Sequence, residues 1–249
     1  DLDVDGTTNL DVVDIDGAVD MASTLTVAGV LTGASLDISG DIDVDGTSNL
    51  DVIDVDGAAN FAADVTFADG ADIITASAGT SNFRAGVNAG NSIESGGNYN
   101  TVVGDEAGTA ITTGDKNTAI GKSSLAANTT ANQNTAVGYI ALTANTTGAR
   151  NTATGALALY SNTEGADNTA VGNDALAANT TASNNTAVGA SALDANTTGA
   201  SNASVGKNSL TANTTGSANA AFGADALGSN TTASNNTAVG TNSLNANTT

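Results

Sequence analysis

Aspartates near the start of the chain have the spacing that calcium loops use. A calcium loop places carboxylates at its first, third and fifth positions before a turn glycine, and a glutamate at its twelfth. Here the twelfth residue is Val12 or Val52, and strand alternation alone produces the same aspartate spacing. We therefore predict no cofactor and no metal site, with calcium as the alternative. The two runs of the form Asp-x-Asp-x-Asp-Gly are residues 1–6 and 41–46.

Catalytic chemistry has few candidate residues elsewhere. The sequence contains no His and no Cys, so the usual general bases, thiol nucleophiles and soft-metal ligands are missing. Carboxylates are abundant in the first 80 residues, but regular alternation places them on solvated strand faces. We predict that the protein is not an enzyme and has no catalytic or cofactor-binding residues.

An Asn-Thr-Thr run recurs along the second half of the chain, and each copy is formally a glycosylation site. Any repeat rich in Asn and Thr generates such matches, so we interpret them as part of the repeat. The Thr-Thr pairs also suggest ice binding, but adjacent residues of a strand point to opposite faces, which disfavours it. The asparagines are Asn128, Asn145, Asn179, Asn196, Asn213, Asn230 and Asn247.

The charge distribution argues against two classes of partner. The formal net charge is −21, and residues 1–80 hold 17 Asp with no Lys, Arg or Glu. An acidic surface repels nucleic-acid phosphates and anionic lipid headgroups. No apolar run reaches the roughly 18–20 residues that span a bilayer. We predict no nucleic-acid binding and no membrane insertion.

Internal repetition organises the chain. From Asn100 onward a 17-residue unit recurs, N-T-A-V-G-x-x-A-L-x-A-N-T-T-G-A-x, whose positions are numbered 1 to 17 below. Position 5 is Gly in all nine units, and position 9 is Leu in eight units and Gly108 in the first. A degenerate unit begins at Asn82, 18 residues upstream. The units begin at Asn100, Asn117, Asn134, Asn151, Asn168, Asn185, Asn202, Asn219 and Asn236.

Three segments follow from the repeats. Residues 1–80 form an acidic segment with a 40-residue period, whose short alternating runs before Gly or Asn are typical of half-buried strands. Residues 81–99 form a glycine-rich junction with the degenerate repeat. Residues 100–249 are the nine 17-residue units, of which the last is incomplete, so we expect the natural chain to continue.

Each 17-residue unit predicts two short strands, at positions 2–4 and 8–13, because the turn residues leave too few positions for a stable helix. Stacked units would place identical residues about 4.8 Å apart. We expect three internal columns: the position-4 residues that begin with Val103, the position-9 leucines, and the position-1 asparagines, whose amides would form a hydrogen-bonded ladder. The predicted fold is an all-β solenoid stack.

The unit also resembles a known kind of repeat. The pattern Asn-Thr-Ala-Val-Gly-x-x-Ala-Leu-x-x-Asn-Thr-Thr-Gly resembles repeats of bacteriophage tail-fibre and tail-spike proteins, and it is similar to the head repeats of trimeric autotransporter adhesins. The resemblance implies an intertwined homotrimeric β-fibre. The thin core favours a trimer independently, because three chains can share their apolar columns; a single-chain solenoid stays open.

Three function hypotheses follow. The first is a structural segment of an extracellular fibre, a phage tail fibre that positions a receptor-binding tip for host attachment at the virion surface. The alternative is a bacterial or archaeal surface adhesin or extracellular filament at the cell surface. The third is an ice-binding solenoid. The expected partners are other copies of the chain and an unknown cell-surface receptor or polysaccharide.

Overall fold

A computed structural model describes residues 79–248 of the chain. Both predicted calcium runs, and the acidic segment apart from its last two residues, lie outside this part. The described residues contain ten strands of three residues each and no helix. The strands are β1 (Phe83–Ala85), β2 (Thr101–Val103), β3 (Thr118–Ile120), β4 (Thr135–Val137), β5 (Thr152–Thr154), β6 (Thr169–Val171), β7 (Thr186–Val188), β8 (Ala203–Val205), β9 (Ala220–Phe222) and β10 (Thr237–Val239).

The ten strands form one parallel sheet in sequence order from β1 to β10. Between consecutive strands the chain makes a crossover such as residues 104–117, of the length that parallel pairing requires. Thr135 pairs with Thr152, a step of one 17-residue unit, whereas Phe83 pairs with Thr101 across the longer degenerate unit. Each unit is therefore one coil of a β-solenoid, which confirms the predicted all-β solenoid.

The second predicted strand, at positions 8–13, is absent from the described coils. The leucine at position 9 has a positive φ, for example 52° at Leu142 and 54° at Leu176, and an extended strand needs a negative φ. Backbone hydrogen bonds between coils persist on this side, since Leu142 N donates to Ala158 O at 2.9 Å. This prediction was wrong because the repeat stacks turns here instead of strands.

The position-4 residues face outward, which contradicts the expected internal column. Successive side chains of a strand alternate between faces, and in β2–β10 it is the central residue that is buried. Ala119 and Ala170 are fully buried, whereas their neighbours Ile120 and Val171 are 38% and 37% exposed. The central side chain lies opposite position 9 across a thin interior, and where position 9 is leucine only a small side chain fits against it.

The position-9 leucines form the expected internal column. They are fully buried in seven units, and in the last described coil Leu244 is 49% exposed. The position-5 glycines explain how closely the coils approach: Gly138 has a φ of 141°, and a Cβ on it would lie 2.5 Å from Gly155 O of the next coil. Because that neighbour is backbone, a side chain at this position would force the coils apart.

Candidate functional site: two asparagine ladders and an uncharged strand face

The position-1 asparagines form the predicted ladder inside the stack. Asn134 is fully buried, and its backbone N donates to Asn117 Oδ1 of the preceding coil at 3.0 Å. Its side-chain Nδ2 donates to Gly148 O, at position 15 of its own coil, at 2.9 Å. Since an unpaired buried amide costs about 1–3 kcal/mol, this regular pairing holds each coil in register with the one before it.

The position-12 asparagines form a second buried ladder. Asn145 Nδ2 donates to Asn128 Oδ1 of the preceding coil at 2.9 Å and to Gly148 O of its own coil at 2.9 Å. Gly148 O thus accepts one hydrogen bond from each ladder, which links positions 1 and 12 of the same coil. Among the residues that the structure describes, no buried side-chain N or O atom lacks a hydrogen-bond partner.

Sequence reasoning missed this second ladder because its asparagines also match the glycosylation pattern. The signal that could have revealed it is their recurrence at the same 17-residue interval as the position-1 asparagines. In the structure their amide nitrogens are engaged, which leaves no accessible acceptor for a glycan. The asparagines of the pattern that are fully buried are Asn128, Asn145, Asn179, Asn196, Asn213 and Asn230.

The turn side of the solenoid carries the charged groups. Arg150 Nε donates to Asp167 Oδ1 at 2.6 Å; this bond lowers the pKa of Asp167 and raises the pKa of Arg150. Lys122 Nζ lies 3.2 Å from Asp105 Oδ2, and the bond raises the pKa of Lys122. Both pairs are exposed, so each contributes little to stability.

Asp194 is the acidic group whose surroundings disfavour its charge. It is half-buried at position 10, and burial, followed by the charge of Asp174, raises the pKa of its carboxyl group. Across residues 79–248, no group of three or more acidic residues is placed to hold a metal ion. The same residues contain no helix that is long and apolar enough to cross a membrane.

The opposite side of the solenoid is formed by the sheet, and its outer surface carries no charged side chain. We define the strand face as the first and third residues of β1–β10. Between Thr101 and Val239 these are Thr or Ala at position 2 and mostly Val at position 4, with Ile120, Thr154 and Phe222 as the departures. Arg84 occupies the central, inward position of β1, and its Nε donates to Ala89 O at 2.7 Å.

Comparison with known proteins found no match for this chain. No protein-family model matches the chain, and neither does any curated protein or solved structure. The resemblance to tail-fibre and adhesin repeats therefore stays a prediction. The two ladders and the strand face are the features from which a function can be argued.

Proposed function

We propose that the protein is a structural segment of an extracellular fibre, most simply a homotrimeric phage tail fibre that holds a receptor-binding tip away from the particle. The observation that carries this proposal is the in-register stack of ten strands with two buried asparagine ladders. A spacer needs length and stiffness in place of a cavity, and repetition of one coil supplies both.

The stiffness follows from the hydrogen bonds that join one coil to the next. Between the third and fourth units, Thr135 N donates to Asn151 O at 2.8 Å, and Leu142 N to Ala158 O at 2.9 Å, on opposite sides of the coil. The asparagine ladders add two bonds inside the same step. Bending the stack would stretch bonds on one side, so resistance to bending is distributed over every coil.

The experiment that tests the spacer role is a length series. Copies of the unit 168–184 are inserted after residue 184 in the full chain, and particle length is measured by electron microscopy. We expect each inserted unit to add about 4.8 Å, and ten units about 48 Å. The control insert has the same composition in scrambled order and should add no ordered length. A series in which length does not grow with unit number would contradict the proposal.

Whether the fibre belongs to a virion or to a cell surface requires a separate measurement. In the tail-fibre proposal, gold-labelled antibodies against the repeat should bind virions at the tail. If they bind the cell surface in virus-free cultures instead, the protein is a cellular adhesin or filament, and the spacer role is unaffected.

One observation favours the ice-binding hypothesis, although at a different place from the Thr-Thr pairs. Six consecutive coils, from Thr101 to Thr186, present a threonine at position 2 on the same outward face. The position-13 hydroxyls are engaged in another way, since Thr163 Oγ1 donates to Thr180 O. Thermal hysteresis of a dilute solution tests this second candidate: activity that is lost when lysine replaces Thr135 and Thr169 supports it, and no activity in the unmodified protein rejects it.

A further inference from the structure

The strand face differs in composition from the rest of the described surface. All charged side chains of residues 79–248 except Arg84 lie outside the strands, and Arg84 points inward. A surface that is uncharged along the whole stack, beside turns that carry ion pairs, is typical of the core of an interface, from which charged residues are depleted.

Half of the large apolar side chains that are exposed in residues 79–248 lie on the same face. Phe222 is 44% exposed, and Ile120 and Val171 are each more than one third exposed, although all three stand on strands of a hydrogen-bonded sheet. The face presents at least one apolar side chain on nine of the ten strands and is interrupted at β5 by Thr152 and Thr154. This apolar row is longer than the scattered single residues that are normal on a protein surface. Its length is the reason to expect that another surface covers it.

The geometry of the face indicates what that surface is. The strands pair in strict register, so the outward side chains form straight rows that repeat with the strand spacing of about 4.8 Å. A partner that packs along the whole face must present side chains with the same period. A second copy of this chain meets that requirement at every coil, because its own strand face has the same spacing and the same uncharged Thr and Val rows.

We propose that the strand face is the surface through which copies of this chain associate side by side; this inference rests on the homotrimer of the proposed function. The face measures roughly 43 by 10 Å, or about 430 Å² per copy in projection. Stable interfaces bury about 800 Å² per partner. The ten described strands alone therefore support a concentration-dependent association, and every further coil adds an equal increment.

The test compares two double variants that add the same two lysines to the same coils. V188K/F222K places lysines on the strand face. A190K/A224K places them two residues later, at position 6, where the repeat itself carries Lys122 and Lys207. The full-length proteins are studied by sedimentation velocity over a range of concentrations, and circular dichroism verifies that each variant keeps its β structure.

We expect the unmodified chain and A190K/A224K to sediment as trimers. V188K/F222K should require a concentration roughly tenfold or more higher for association, because like charges would meet in a desolvated contact. If it associates as well as the control variant, the strand face is not the interface, while the homotrimer stands. If the unmodified chain is monomeric throughout, both this inference and the homotrimer are overturned, and the face is free for another ligand such as ice.

Discussion

The first two described coils and the seven complete coils that follow share one backbone path but fill its interior differently. In the first two, residues 82–116, position 9 is Gly and position 12 is Ile. In the coils of residues 117–235, position 9 is Leu and position 12 is Asn. The residues that distinguish the first two coils are Gly90, Ile93, Gly108 and Ile111, and all four are buried.

The same interior space is filled from opposite sides in the two regions. Gly108 has a φ of 52°, close to the 53° of Leu125, so the backbone has the same conformation at position 9 in both regions. A Cβ on Gly108 would lie 2.5 Å from Val102 Cγ1 and 2.8 Å from Ile111 Cδ1. In the first unit the valine and isoleucine occupy the volume that leucine takes in later units, where the central strand residue is Ala or Ser and position 12 is polar.

The comparison shows which energetic terms decide the filling. A left-handed backbone costs a leucine about 1–2 kcal/mol, a cost that glycine avoids. Burying the leucine side chain contributes about 1.5–3 kcal/mol, so the net gain at position 9 is small. With leucine at position 9, position 12 no longer has to supply an apolar side chain and can join the second asparagine ladder, where each hydrogen bond contributes about 0.5–1.5 kcal/mol. Leucine and asparagine therefore occur together, and glycine and isoleucine together.

The largest expected effect comes from truncating a leucine of the later coils. Leu176→Ala should destabilise the protein by about 4 kcal/mol, because it removes a fully buried side chain and leaves the left-handed backbone strain in place. Leu176→Gly removes more atoms but relieves the strain, so it should cost about 1 kcal/mol less than the alanine variant. Urea midpoints of the two variants test this order. A glycine variant less stable than the alanine variant would show that strain is not a significant term here.

The sequence predicted the coil but not which side chains it encloses. The 17-residue period, the leucine column and the position-1 asparagine ladder follow from repetition, because stacked copies must align. The inward position of the strand does not, since Thr-Ala-Val fits either face until the width of the interior is known. The first two coils mark that width, because a larger central strand residue coincides there with a glycine at position 9: Arg84 with Gly90, and Val102 with Gly108. The charge-free strand face depends on the same orientation and was missed with it.

A second prediction converts the first unit toward the later type. Gly108→Leu alone should destabilise by about 3 kcal/mol, because the new side chain would overlap Val102 and Ile111. The triple variant V102A/G108L/I111N gives this unit the later filling and should recover most of that loss. Thermal unfolding followed by circular dichroism compares the two. If the triple variant is no more stable than Gly108→Leu, the two fillings are not interchangeable and the volume argument fails.

A third prediction concerns the ladder that only the later coils contain. In Asn179→Ala, Asn162 Oδ1 loses the donor that lies 2.7 Å away and remains buried without a replacement. We expect a loss of about 2 kcal/mol. Thr181→Ala, two residues later and exposed, serves as the control and should change stability by less than about 0.5 kcal/mol. Equal effects of the two substitutions would mean that the ladder does not contribute to the stability of the stack.

The smallest expected effect concerns position 10, which is the uncharged Asn91 in the first coil and the acidic Asp194 in a later one. Burial raises the pKa of Asp194, so the folded state binds its proton more tightly than the unfolded chain does. Stability from this group is present at low pH and is lost as the pH rises through the folded pKa. Asp194→Asn should therefore stabilise the protein at pH 7, by less than about 0.5 kcal/mol, and change little near pH 3.

Asp167→Asn is the control of opposite sign. Its hydrogen bond with Arg150 lowers the pKa of Asp167, so that carboxylate stabilises the fold above its unfolded pKa and the contribution is lost as the pH falls through the folded pKa. The substitution should slightly destabilise the protein at pH 7 and have no effect below the folded pKa. Urea midpoints of both variants at pH 7 and near pH 3 make the comparison. Shifts of the same sign at pH 7 would show that burial does not disfavour the Asp194 charge, and that a charge beside the buried leucine column is tolerated as well as one on the exposed turn.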